Sequence, residues 1–245
     1  MAGTCTDKVA VVTGAAGKGM GRSIALTLGR EGAKVVVNYR RSAEMAGAVV
    51  DHITARGGEA AAVQADVFSA EGCKALVDAA MERFGRVDVC IVNPGAGWHP
   101  EPPDKLNGPA ALADAEVELA PIYHLMPLVL PGMYERKWGR VVGLSQERMF
   151  GSPAYACNVA KAARTHALAL LRAPAWKHDV TVNAIAPGPV AAVETLDEAV
   201  DLCDHGPAWQ GRSNVTPQDV AEGVAFLCSD AGRYISGCEL PFLFH

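Results

Sequence analysis

Short runs of β-branched and other apolar residues alternate along most of the chain with longer, Ala-rich stretches of helical period. The runs at 9–13, 34–39 and 60–65 are each followed by such a stretch, at 21–31, 43–56 and 70–84. The series continues with strand patterns at 87–92, 140–144 and 180–185 and helix patterns at 115–136, 154–172 and 220–228, and a last short strand falls near 235–240. Alternation this regular predicts an α/β fold, one parallel sheet covered by helices on both faces. The strands read as unbroken apolar runs, as they must when neither face meets water. Gly32, Gly57-Gly58 and Gly85 stand just past helices, where a left-handed residue is wanted. No linker-like tract or internal repeat interrupts the pattern, so a single domain over 1–245 is expected. The least regular stretches, 94–112 and 187–215, are read as loops beyond strand ends, where open α/β sheets take their ligands.

Charge changes the picture by exclusion. The 22 basic and 27 acidic residues give a net charge of −5, and the basic ones are scattered rather than clustered. Nucleic acid and anionic membrane surfaces are therefore poor partners, and a small molecule is expected instead. Seven cysteines, an odd number without C-x-x-C spacing, sit mostly in apolar segments and read as reduced core thiols of a cytoplasmic protein. No export leader and no apolar run of membrane-spanning length is read from the chain. No histidine pair or Cys/His cluster has metal-ligand spacing, and there is no G-x-S-x-G elbow.

The segment from Thr13 to Arg22 holds Gly14, Gly17, Gly19 and Gly21, with Lys18 and Met20 between them, and lies between the first strand and the first helix. Glycines there let a pyrophosphate approach backbone N–H groups at a helix N-terminus, as in a Rossmann-type doubly wound sheet. At the end of the second strand, where a site preferring NAD places a carboxylate, the chain reads Asn38-Tyr39-Arg40-Arg41. Two guanidiniums there, with Lys18 in the loop, suit a 2′-phosphate, and the expected cofactor is NADP(H).

With these residues in view the chain resembles the short-chain dehydrogenase/reductase family, and its 3-oxoacyl-thioester-reductase-like members most. Thr13-Gly14, Gly19 and Gly21 match the family's glycine loop with one residue added. Asp66-Val67 matches its adenine-contacting pair, and Asn93 stands after the fourth strand. Lys161-Ala162-Ala163, Asn183-Ala184 and Pro187-Gly188 also fall where the family has similar residues. The resemblance implies that Gly14, Lys18, Gly19, Met20, Gly21, Arg40, Arg41, Asp66, Val67, Asn93, Lys161, Pro187 and Gly188 bind the cofactor.

The positions resembling the family's Asn, Ser, Tyr and Lys tetrad depart from it. Lys161 keeps the lysine, but four residues earlier stands Cys157, and Tyr155 lies about 120° around a regular helix from Lys161. Either Tyr155, swung inward by an irregular first turn after Ser152-Pro153, or Cys157, its thiol acidified by Lys161, is expected to occupy the phenol's place. Glu118 stands at the Asn position. The Ser position falls on Gln146, with Ser145 one place earlier; they face opposite ways on a strand, and Gln146 is preferred as the residue entering the site. Ala192 replaces a family Thr. Trp98, His99, His124, Glu147, Arg148 and Met149 are further residues near the expected cleft.

The resemblance implies an atypical NADP(H)-dependent oxidoreductase acting on a carbonyl or alcohol of a small or carrier-bound substrate. Its alternatives are a non-redox cyclase, isomerase or dehydratase on the same scaffold, and a catalytically silent subunit. Family analogy implies a homotetramer or homodimer, with Phe242 and Phe244 near the chain's end reaching a neighbouring subunit.

Overall fold

Seven short apolar strands that must hide both faces can do so only as the middle layer of three, and the computed structural model has that arrangement over residues 3–97, 99–146, 154–208 and 210–242, the residues it describes. The elements run β1 (Val9–Val12), α1 (Met20–Arg30), β2 (Lys34–Tyr39), α2 (Ala43–Ala55), β3 (Ala60–Gln64), α3 (Ala70–Phe84), β4 (Val89–Val92) and α4 (Gly108–Arg136). They continue with β5 (Gly139–Leu144), α5 (Tyr155–Leu170), α6 (Arg172–Trp176), β6 (Val180–Pro187), α7 (Leu196–His205), α8 (Pro217–Cys228) and β7 (Glu239–Phe242). All pairings are parallel, in the order β3-β2-β1-β4-β5-β6-β7. The order reverses between β1 and β4, which opens a crevice at their carboxyl ends.

Strand residues alternate between two cores. Ala10, Val12, Val37, Ile91 and Val142 face one, with Ile24 and Leu28 of α1, Val49 of α2 and Val224 of α8. Val11, Val36, Cys90 and Val141 face the other, with Leu76 of α3, Leu125 of α4 and Leu168 of α5. Each such fully buried Leu or Ile contributes roughly 1.5–3 kcal/mol of transfer free energy.

Several expected boundaries move, each for a local reason. Helix α4 begins at Gly108 rather than near 115, because the Asn107 side chain accepts the Ala110 N–H at 3.2 Å and Pro109 fits the first turn. It also continues through Pro121, Pro127 and Pro131. The stretch 187–215 is not all loop: α7 forms within it, its start capped by Thr195 Oγ1, which accepts the Glu198 N–H at 3.1 Å. The pattern at 154–172 divides into α5 and α6, β4 starts at Val89, and β7 lies later than expected. Gly32, Gly57 and Gly85 have φ of 85°, 82° and 76°, whereas Gly58 is not left-handed. Phe242 packs on Gly223 of its own α8, and Phe244 lies outside the described residues. Six cysteines are buried and free, and Cys238 is exposed.

At the amino edge of the sheet Asp88 is fully buried and ties three elements together. Its carboxylate accepts the Val9 N–H of β1 at 3.0 Å and two N–H groups of Arg86 at 2.7 and 2.9 Å, and Arg136 at the end of α4 lies 3.4 Å away. Asp88→Ala leaves these donors facing a void, so urea unfolding is expected to show a loss of about 3–5 kcal/mol.

Candidate functional site

The glycine loop is clamped from both neighbouring strands. Asn38 of β2 accepts the Gly14 N–H at 3.0 Å through Oδ1 and donates through Nδ2 to the Ala65 carbonyl at 3.1 Å. Asn93, just past β4, donates to the Thr13 carbonyl at 3.1 Å, and its N–H is accepted by Thr13 Oγ1 at 2.9 Å. Asn93 therefore buttresses the loop. Gly14 has φ of 61°, and a Cβ on Gly21 would stand 2.7 Å from Asn93 Nδ2 and closer still to the Gly14 carbonyl oxygen. Gly19 caps α1 without a side-chain acceptor, has open space beside it, and no acidic residue follows in the first turn. A helix start without a side-chain cap or a nearby carboxylate suits an anion such as a pyrophosphate.

The basic residues expected around that helix start are placed as follows. Arg40 reaches Asp66 at 3.6 Å and lies over the Phe68 ring at 5.5 Å, and Arg41 is exposed. Lys18 is paired with Glu194 at 2.5 Å, while buried Arg22 donates to the Val193 carbonyl at 2.7 Å, so the segment after β6 is fastened across the start of α1. Lys18 is thus engaged by a carboxylate. Asp66 accepts the Phe68 N–H at 3.1 Å, and the Val67 side chain is buried in the core under α3.

At the carboxyl ends of β5 and β6 a cavity of about 500 Å³ is lined by Met20, Ala96, Ser145, Gln146, Lys161 and the turn Pro187-Gly188-Pro189-Val190. Behind it lies a charge cluster. Glu118 of α4 is fully buried; its Oε1 accepts the Ala96 N–H at 2.7 Å and pairs with Lys161 Nζ at 2.8 Å, and its Oε2 accepts from Arg164 at 2.8 Å. Arg164, also fully buried, donates to the Pro94 carbonyl at 2.8 Å. Lys161 and Arg164 are three apart on α5 and share its face toward α4. Gly95 permits the close approach: a Cβ there would lie 2.7 Å from Arg164 and 2.6 Å from Glu118 Oε2. Burial lowers the Lys161 pKa, with Glu118 opposing and Arg164 assisting the shift.

Gln146 and Ser145 both border the cavity but are held differently. Gln146 Nε2 donates to Asn158 Oδ1 at 3.1 Å, whereas the Ser145 hydroxyl is engaged with Thr165 at 2.5 Å and the Lys161 carbonyl at 3.2 Å. Cys157 is buried, its Sγ directed at the Gly97 carbonyl at 3.8 Å and Gln146 Oε1 at 3.9 Å. Burial raises the thiol's pKa, outweighing Lys161, which corrects the expectation of an acidified thiol. Helix α5 starts at Tyr155, which is 47% exposed and does not line the cavity; Ser152 and Pro153 lie outside the described residues. His99 pairs with Asp114 at 3.1 Å, His124 is half-buried on α4, and Trp98, Glu147, Arg148 and Met149 also lie outside the described residues. Arg164, Thr165, Asn158 and Arg22 were not singled out by the sequence patterns. An arginine one turn past Lys161, on the apolar face of an Ala-rich helix, was the available signal for the first.

Gly21→Ala is expected to displace the loop by collision with backbone, giving a folded protein that no longer quenches or is quenched by an added pyridine nucleotide. Alkylation by iodoacetamide at neutral pH, read by peptide mass mapping, should mark exposed Cys238 first and leave Cys157 unmarked until the protein unfolds.

The enoyl-(acyl carrier protein) reductase family model matches residues 14–242. A 7alpha-hydroxysteroid dehydrogenase of Escherichia coli K12 is 33% identical over 243 residues, covering 94% of this chain and 90% of the relative. A 3-oxoacyl-[acyl-carrier-protein] reductase of Synechocystis is 34% identical over 246 residues, covering 95% and 94%. A solved 7 alpha-hydroxysteroid dehydrogenase, complexed with NADH and 7-oxo glycochenodeoxycholic acid, superposes with a TM-score of 0.83 at 31% identity, covering 97% of this chain and 93% of that one. The chain belongs to the short-chain dehydrogenase/reductase family of oxidoreductases.

Proposed function

We propose that the protein is an NADP(H)-dependent oxidoreductase that interconverts a carbonyl and an alcohol on a small or carrier-bound substrate, with an atypical set of catalytic groups. The observation that carries this reading is the meeting, at one sheet edge, of a capless helix N-terminus, a basic β2 end and a cavity bordered by Lys161 and Gln146. The N–H groups following Gly19 would hold the pyrophosphate and Arg40 with Arg41 the 2′-phosphate. Lys161 would donate to the nicotinamide ribose, as its Nζ has N–H groups beyond the one directed at Glu118. When bound, the cofactor supplies a hydride. Gln146, fixed by Asn158, donates a hydrogen bond that orients the substrate oxygen. The remaining walls, Met20, Ala96, Pro187, Pro189 and Val190, are apolar, and the cavity is of a size that takes a ring system or an acyl chain. Exposed Tyr123 and Leu128 of α4 and Val159 and Leu170 of α5 support a homo-oligomer built on those helices.

Nucleotide fluorescence titrations test the cofactor assignment. NADPH is expected to bind more tightly than NADH. Arg40→Ala and Arg41→Ala should each weaken NADPH by roughly 10- to 100-fold, as loss of one charge-assisted contact implies, and leave NADH nearly unchanged. Equal affinities in the unsubstituted protein would remove the NADP assignment.

A further inference from the structure

Reduction of a carbonyl needs a proton as well as a hydride, and the described residues that line the cavity are poor in groups that can give one. Gln146 does not release its amide protons near neutral pH. The Ser145 hydroxyl is taken up by Thr165 and the Lys161 carbonyl. Cys157 points at Gly97 and Gln146 from outside the lining, Tyr155 lies at the surface, and the His99 ring is held by Asp114. Among the described residues that line the cavity, Lys161 alone carries a titratable proton.

We propose that Lys161 itself donates the proton to the substrate oxygen, positioned by Glu118 and charge-compensated by Arg164. This assignment rests on the redox reading above. Its physical basis is the charge count behind the cavity: one buried carboxylate faces two cations, buried Arg164 and partly buried Lys161, so the cluster holds one positive charge in excess. Giving up a proton discharges that excess and leaves Glu118 neutralised by Arg164. Without Arg164, the same transfer would leave a buried carboxylate beside a neutral amine. Arg164 cannot serve as the acid, because a guanidinium does not deprotonate in the working range. Glu118 is kept in place by the Ala96 N–H and Arg164, and so fixes the Lys161 ammonium from behind.

The step balances. As hydride reaches the carbonyl carbon, the carbonyl π pair moves to oxygen, an O–H bond forms there, and one N–H bond of Lys161 breaks with its electron pair left on nitrogen. The nicotinamide is oxidised, the carbonyl becomes an alcohol, and a solvent proton entering by the cavity mouth restores the ammonium.

The groups acting on Lys161 are Glu118 from α4 and Arg164 and Cys157 from α5. Glu118 and Cys157 raise its pKa, while burial and Arg164 lower it. An acid must be protonated to act, so kcat/KM for reduction should be flat at low pH and fall above the Lys161 pKa. Removing the positive neighbour with Arg164→Met should move that break to higher pH. Removing the negative one with Glu118→Gln should move it to lower pH. Lys161 Cε shifts in protein labelled with carbon-13 lysine report the same midpoints without turnover, and Arg164→Lys, which keeps the charge, should restore the original one if Arg164→Met folds poorly.

The deciding variant is Lys161→Arg, which keeps a cation for the nucleotide but holds its protons. NADPH affinity, read by nucleotide fluorescence, should stay within roughly threefold, while kcat for reduction falls by about 100-fold or more. A Lys161→Arg enzyme turning over within about threefold of the original, or breaks that move the same way in Arg164→Met and Glu118→Gln, would overturn the proposal while leaving the redox reading intact. An unsubstituted protein that binds NADPH yet reduces no ketone or oxoacyl thioester overturns both.

Discussion

A carboxylate cut off from water must be met by cations and N–H groups, and much of the candidate site is arranged around that requirement at Glu118. Meeting it fixes how α4 and α5 face each other, since the partners Lys161 and Arg164 come from one helix and the carboxylate from the other. It also fixes the chain after β4. The Ala96 N–H must point at Glu118, the Pro94 carbonyl at Arg164, and Gly95 between them can carry no side chain. The cavity wall is thus a by-product of satisfying one buried charge.

The other half of the edge is held by neutral hydrogen bonds. Asn38 and Asn93 grip the glycine loop from β2 and β4, so the start of α1 is aimed without using any group that would compete for an anion. Fastening from above is ionic and exposed at Lys18 and Glu194, where solvent screens it, and buried only at Arg22. The loop is rigid below and loosely covered above.

The layered architecture and the sheet edge that holds the site were legible because they rest on period and punctuation, which are local properties. β2 and α3 occupy the stretches their patterns mark, and the left-handed glycines at 32, 57 and 85 end helices as read. The early start of α4 was also written in the chain, as Asn107 followed by Pro109, but lay inside a stretch rich in Pro and Gly that reads as loop. The cap of α7, Thr195 with Glu198, was similarly short and polar. The site was less legible because it depends on contacts across long separations. Nothing in the spacing says that Glu118 meets Arg164, or that Asn93 turns toward Thr13; such pairings exist only once β4, α4 and α5 are side by side. Cys157 shows the limit most clearly: proximity to Lys161 suggests an acidic thiol, and only the burial of its sulfur reverses the sign.

The three prolines inside α4 bear on how the charge cluster comes into being. Each lacks an N–H, so the carbonyls of Val117, Tyr123 and Pro127 lose the ladder partner that a regular helix would give them. A peptide spanning these residues has too few internal bonds to repay the cost of nucleating a helix in water. The segment bearing Glu118 therefore takes its shape from the sheet and from α3 and α5, and the carboxylate reaches its place only when the chain around it has already collapsed. Assembly of this edge is in that sense a late and global event of folding, not a local one.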